Sequence, residues 1–117
     1  MSTPTPILPS ELPAPVRAFL TARAARDADT AVGAFTPDAV VTDEGRTFRG
    51  TEEVLGFLRH SGSQYTYTSE LTGAQRVDDR HWVALHHLEG DFPGGVADLA
   101  YRFTTAGDRI AELVIAP

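Results

Sequence analysis

The hydrophobic period of this 117-residue chain changes partway along, and that change limits the folds open to it. Up to about residue 35 the apolar residues recur at helical spacing, and from Val40 the period changes to two, interrupted by one more helical stretch between Thr51 and Gly62. Leu12, Val16, Phe19, Leu20 and Ala24 fall at i, i+4, i+7, i+8 and i+12, one stripe of an amphipathic helix, with Ser10 placed to cap it. Asp29 looks like the cap of a second, short helix that buries Ala31, Val32 and Phe35, and Thr36-Pro37-Asp38 stops it. Residues 40–43 read as a strand, Glu44-Gly45 as a turn and residues 46–49 as the returning strand. Gly50 breaks that strand. Thr51 can cap a third helix burying Val54, Phe57 and Leu58, with Gly62 as its C′ glycine. The remainder is a run of strands over 64–77, 81–91, 96–105 and 109–116, with turns at Asp78-Asp79, Phe92-Pro93-Gly94-Gly95 and Ala106-Gly107-Asp108. The order α-α-β-β-α-β-β-β-β describes an α+β domain.

One domain is all the length allows, and a chain of this size buries roughly 65% of the surface its unfolded form exposes. Residues 1–10, with Pro4, Pro6 and Pro9 among Ser and Thr, are expected to form a flexible extended arm, leaving 11–117 as the domain. The net charge of −6 argues against a phosphate backbone or an anionic membrane as partner, and the arginines are dispersed along the sequence. The absence of cysteine excludes disulfides, thiolate metal sites and a cysteine nucleophile. The absence of lysine excludes Schiff-base chemistry and a P-loop lysine. All ten cations are Arg and Asn is also missing, a codon bias that suggests a GC-rich genome. With no signal-like or membrane-spanning stretch, the expectation is a soluble cytoplasmic protein.

The stretch Ala34-Phe35-Thr36-Pro37-Asp38-Ala39-Val40-Val41-Thr42-Asp43, then Arg49-Gly50-Thr51-Glu52-Glu53-Val54, resembles the SnoaL-like branch of the nuclear transport factor 2-like superfamily. The final strands, Leu99-Ala100-Tyr101-Arg102-Phe103 and Arg109-Ile110-Ala111-Glu112-Leu113, extend the resemblance over about residues 12–115. The hairpin Glu89-Gly90-Asp91-Phe92-Pro93-Gly94-Gly95 is similar to that of small bacterial members. The resemblance implies a cone-shaped, curved mixed β-sheet wrapped around three helices, with a pocket at its open end. It also implies homodimers packed through the outer face of the sheet. It does not imply one activity, because the superfamily includes isomerases, cyclases, epoxide hydrolases and binders.

The ketosteroid isomerases of that superfamily use an aspartate base with a tyrosine and a protonated aspartic acid as oxyanion donors. Asp43 matches the base, whereas Phe19 and Leu99 stand where the donors would be. Loss of one such donor alone costs about 10²–10³ in rate, so that mechanism does not transfer. An arginine and an aspartate two apart on one strand face, as the epoxide hydrolases require, are also missing: the strand offers His87-Leu88-Glu89. The cyclases' pocket acid finds only a partial match in Asp43, since Asp98 has the wrong parity. Asp43 itself reads either as a carboxylate facing the pocket, with a raised pKa, or as a solvated turn residue.

Strand alternation nominates its neighbours. With an unslipped hairpin, Leu99, Tyr101 and Phe103 face inward with Trp82, Ala84, His86 and Leu88, while Val83, Leu85, His87 and Glu89 face outward. The expected pocket is mostly aromatic, lined by Phe19, Phe35, Phe57, Trp82, Leu88, Leu99 and Phe103. Asp43, His86 and Tyr101 are its catalytic candidates, with Asp43 placed to fix the tautomer of His86. No metal-ligand spacing, dinucleotide fingerprint or other cofactor motif is present. Three readings stay open. One is a cofactor-independent lyase, isomerase or cyclase on a small apolar carbonyl compound, with Asp43 as base. Another is a binding protein for a hydrophobic metabolite. The third is a dimeric protein whose aromatic residues fill the cone.

Overall fold

The computed structural model describes residues 3–60 and 65–117. The elements run β1 Thr5–Ile7, a 3₁₀ turn at Pro9–Glu11, α1 Ala14–Ala24, α2 Ala28–Val32, β2 Phe35–Asp43, β3 Arg46–Arg49, α3 Gly50–His60, β4 Tyr67–Arg76, β5 His81–Gly90, β6 Val96–Ala106 and β7 Arg109–Ala116. Among the described residues the strands make one mixed sheet ordered β1-β4-β5-β6-β7-β2-β3, antiparallel except where β2 runs parallel to β7. The helices pack on one face, and the fold is that of an open α+β cone.

Local chemistry explains the departures from the sequence reading. Residues 5–7 are extended, as their prolines favour, but they are docked: Thr5, Pro6 and Ile7 pair with Arg76, Gln75 and Ala74. Proline is tolerated there because β1 is an edge strand. α1 starts at Ala14 rather than beside Ser10, since Pro13 and Pro15 favour its cap and first turn and a 3₁₀ turn takes up Ser10. The cap of α2 is Asp27, not Asp29. Asp27 accepts the Thr30 N–H at 3.2 Å and the Thr30 hydroxyl at 2.6 Å, whereas Asp29 pairs with Arg59 at 2.8 Å. Phe35 opens β2 instead of closing α2, and Pro37 sits within a register shift of that strand. The Gly62 cap lies outside the described residues.

Strand pairing settles which residues face the helices. Trp82, Ala84, His86 and Leu88 stand opposite Phe103, Tyr101, Leu99 and Ala97, the unslipped register. A bulge at Thr72 inverts the parity of β4, so that Ser69, Leu71 and Ala74 all face inward. Without it Leu71 and Ala74 would lie on opposite faces. Gly90 carries no side chain because a Cβ there would collide with Tyr67, its partner at the start of β4.

The core lies between α1, α3 and the concave face of the sheet. Phe19 is fully buried, its ring edge-on to Phe35 at 5.3 Å and to Phe103 at 5.7 Å. Val16, Val41, Val54, Ile110 and Leu113 complete its centre. Phe57 stacks on Phe48 at 4.9 Å near the outer end of this core.

Candidate functional site

A cavity of about 390 Å³ opens on the concave side, between the C-terminal end of α1, the start of α2, the end of α3 and strands β4 to β6. Its wall includes His86 and Tyr101, as the alternation requires, but otherwise differs from the expected aromatic box. Phe19, Phe35 and Phe103 are core residues, spent on packing one another. Phe57 is engaged with Phe48 and lies under the Arg23 guanidinium, 5.6 Å from its ring centre. Trp82 is covered by Arg76 at 5.6 Å, and neither Leu88 nor Leu99 lines the cavity. The wall instead combines Leu20, Leu58 and Leu71 with Tyr67, Ser69, Asp27 and three arginines, Arg23, Arg26 and Arg59. Cations that are dispersed in sequence therefore converge in space.

Arg23 is the residue that sequence reasoning missed. It lies one helical turn beyond Phe19 on the same face of α1, so i+4 spacing was the available signal. Its guanidinium hydrogen-bonds to the Tyr101 hydroxyl and acts electrostatically on Tyr101, His86 and Asp43. Burial pushes the Tyr101 phenol above its ordinary range, with Arg23 pulling the other way.

His86 packs against Tyr101 with ring centres 4.4 Å apart. Its Nδ1 is buried without a hydrogen-bond partner, and the ring forms part of the cavity wall. Burial pulls the imidazole below its ordinary pKa, against a weaker opposing effect of the Ala84 backbone and with a further push down from Arg23. No Asp43–His86 hydrogen bond forms. Tyr101 and Ile115 separate the two residues across the sheet.

Asp43 occupies the last position of β2, in register with Ile115, which faces Tyr101 in turn. It is half-buried on the concave face, and burial, then the neighbouring Glu44 carboxylate, raises its pKa while Arg23 lowers it. It is not part of the cavity wall but interacts electrostatically with Arg23, which is. The next two residues, Glu44 at φ 52° and Gly45 at φ 77°, make the turn that ends the strand there.

A helix-backed curved sheet with a cavity on its concave side is the architecture of nuclear transport factor 2-like proteins. Within that class the signature of the SnoaL-like domain spans residues 16–113, and the chain belongs to that family. Among solved structures it is similar to a candidate polyketide cyclase from Sinorhizobium meliloti. The two are 32% identical with a TM-score of 0.83, and the match covers 92% of this chain and 97% of that one. A Catenulispora acidiphila protein of ketosteroid isomerase-like fold, in complex with trimethylamine, is 20% identical with a TM-score of 0.76, over 90% of this chain and 85% of that one. A Δ5-3-ketosteroid isomerase from a Mycobacterium species shares the fold at 14% identity and a TM-score of 0.69, over 89% and 90% of the two chains. No curated protein matches the chain in sequence.

Proposed function

We propose that the protein moves a proton on a small carbonyl compound held in this cavity, without a cofactor, as an isomerase, lyase or cyclase does. The observation that carries the reading is the Arg23–Tyr101–His86 cluster. The Tyr101 oxygen accepts from Arg23 and keeps its own O–H to donate. A carbonyl oxygen placed at that hydroxyl is polarised, and the enolate formed from it is stabilised where its charge collects. His86, kept neutral by burial, offers a lone pair to the proton on the adjacent carbon. The C–H electron pair moves into the carbonyl system, and the imidazolium returns its proton at a second carbon or to a leaving group. Asp43, the base the family resemblance nominates, is the alternative acceptor.

The test is exchange of carbonyl α-protons for deuterium, followed by NMR, over a panel of 1,3-dicarbonyl compounds and aryl ketones. Wild type is expected to exchange at least one compound. His86→Gln should lose 10²-fold or more, as removal of a general base does, and Asp43→Asn less than tenfold. The reverse order gives the base role to Asp43. Binding without exchange by any protein leaves a binder of small molecules, a reading favoured by the position of Asp43 off the cavity wall.

A homodimer through the outer face of the sheet belongs to the same proposal. Leu85, Val114 and Ala116 stay partly exposed on that face, around the buried Val83 and Ala100, and make an apolar patch there. Such a patch is best covered by a partner.

A further inference from the structure

We infer that the cavity selects a ligand bearing a single carboxylate, bound at Arg26 with Arg59 as a further cation of the wall. The inference rests on the cavity being the ligand site but not on any turnover there. Three arginines of the wall face three carboxylates: Asp27 in the wall, Asp29 paired with Arg59 at 2.8 Å, and Asp43, which interacts electrostatically with Arg23. Asp27 already spends both oxygens on Thr30. Arg59 and Arg23 each answer a carboxylate, which leaves one unanswered cation, and a single cation suits a monoanion better than a doubly charged phosphate monoester. That cation is Arg26. It has no carboxylate partner among the described residues and lies 5.8 Å from the ring centre of Tyr67, itself part of the wall.

The backbone at Arg26 supplies the second observation. α1 ends in a tight C-terminal turn in which the Arg26 N–H reaches the Arg23 carbonyl at 3.1 Å and the Asp27 N–H reaches the Ala22 carbonyl at 2.9 Å. The residue after such a helix end adopts the left-handed conformation and is usually glycine. Here it is arginine, at φ 56°. A side chain is kept where the backbone would be better served without one, and Arg23 already supplies a cation to the last helical turn. Retained local strain of this kind is characteristic of ligand sites. The Arg26 guanidinium is a planar donor that a carboxylate accepts, Arg59 is a further cation of the wall, and Tyr67, Leu58 and Leu71 offer the surface for the ligand's apolar or aromatic body.

Calorimetric titration of wild type with 3-benzoylpropionate, its methyl ester and phenyl phosphate tests the assignment. The acid is expected to bind at least tenfold tighter than the ester, with a preference that shrinks as salt rises. Arg26→Gly should abolish that preference while the melting temperature holds or rises, because glycine suits the left-handed position. Arg59→Gln should weaken it less, since Asp29 already engages that side chain. Equal binding of acid and ester, a preference intact in Arg26→Gly, or tighter binding of phenyl phosphate overturns the carboxylate assignment. Binding of no probe at millimolar concentration overturns it together with the cavity as a ligand site. Acid-selective binding in a protein that exchanges no α-protons would sink the catalytic reading alone.

Discussion

Asp43 and Tyr101 stand in one row of the sheet with Ile115 between them, both on the concave face, and Arg23 acts on both from α1. That row joins the end of β2 to the middle of β6. It brings the carboxylate and the phenol under the influence of one cation although 58 positions separate them in the chain. The charge states of these groups are consequently linked, and each can be read by perturbing the others.

Removing the cation is the direct perturbation. Arg23 holds both Asp43 and Tyr101 below the values that burial alone would give them. In Arg23→Gln both groups are expected to titrate at higher pH than in wild type. Ultraviolet titration of the tyrosinates, with carboxyl NMR for Asp43, would read this; unmoved values would remove Arg23 from the cluster.

The adjacent histidines should respond oppositely to pH. His87 is raised, first by its hydrogen bond to Asp98 at 2.6 Å, so its folded pKa exceeds the unfolded one. Its stabilising contribution is complete below the ordinary imidazole value of about 6.5 and is lost as pH rises through the folded pKa. His86 is lowered by burial, so the unfolded chain takes up its proton first and stability is lost as pH falls through that same ordinary value. Imidazole NMR titration should place His87 above His86, and Asp98→Asn should bring His87 down while leaving His86 unmoved.

Phe19→Ala is expected to cost about 3–5 kcal/mol, because the ring is fully buried against Phe35 and Phe103 and its loss leaves a cavity between them. Chemical denaturation measures this. A cost under about 1 kcal/mol would mean that the core can collapse around the missing ring.

Glu44 adopts φ 52° in the turn after β2, a conformation that Asn accepts more readily. Glu44→Asn should stabilise the fold, by up to about 1 kcal/mol, because Asn visits the left-handed region at lower cost. It also removes a carboxylate that raises the Asp43 pKa, so Asp43 should ionise at lower pH. A melting curve and the Asp43 titration check the two effects separately.

The outer face can be tested with one charge. Leu85 lies beside Ala100 in the apolar patch, and Leu85→Glu is expected to turn a wild-type dimer into a monomer in sedimentation experiments, with the fold retained by circular dichroism. A wild-type monomer at micromolar concentration would reject the dimer.

The sequence by itself determined the element order from α1 onward and the faces of the last strands. Helical spacing from Leu12 to Ala24 and at Val54, Phe57 and Leu58, and alternation from His81 to Ile115, are local consequences of backbone period, and the outcome at Trp82, Ala84, His86 and Tyr101 follows them. What it did not contain was the identity of the cavity. Phe19, Phe35 and Phe103 have the same composition signature whether they line a pocket or fill a core, and only their mutual packing decides. Arg23, Arg26 and Arg59 converge because α1 and α3 end beside the same strands, a juxtaposition that no spacing records. The parity of Leu71 and Ala74 depended on a one-residue bulge, and the docking of residues 5–7 on an open strand edge. Period is a property of the chain in one dimension, whereas a binding site is made by what distant segments leave unfilled between them.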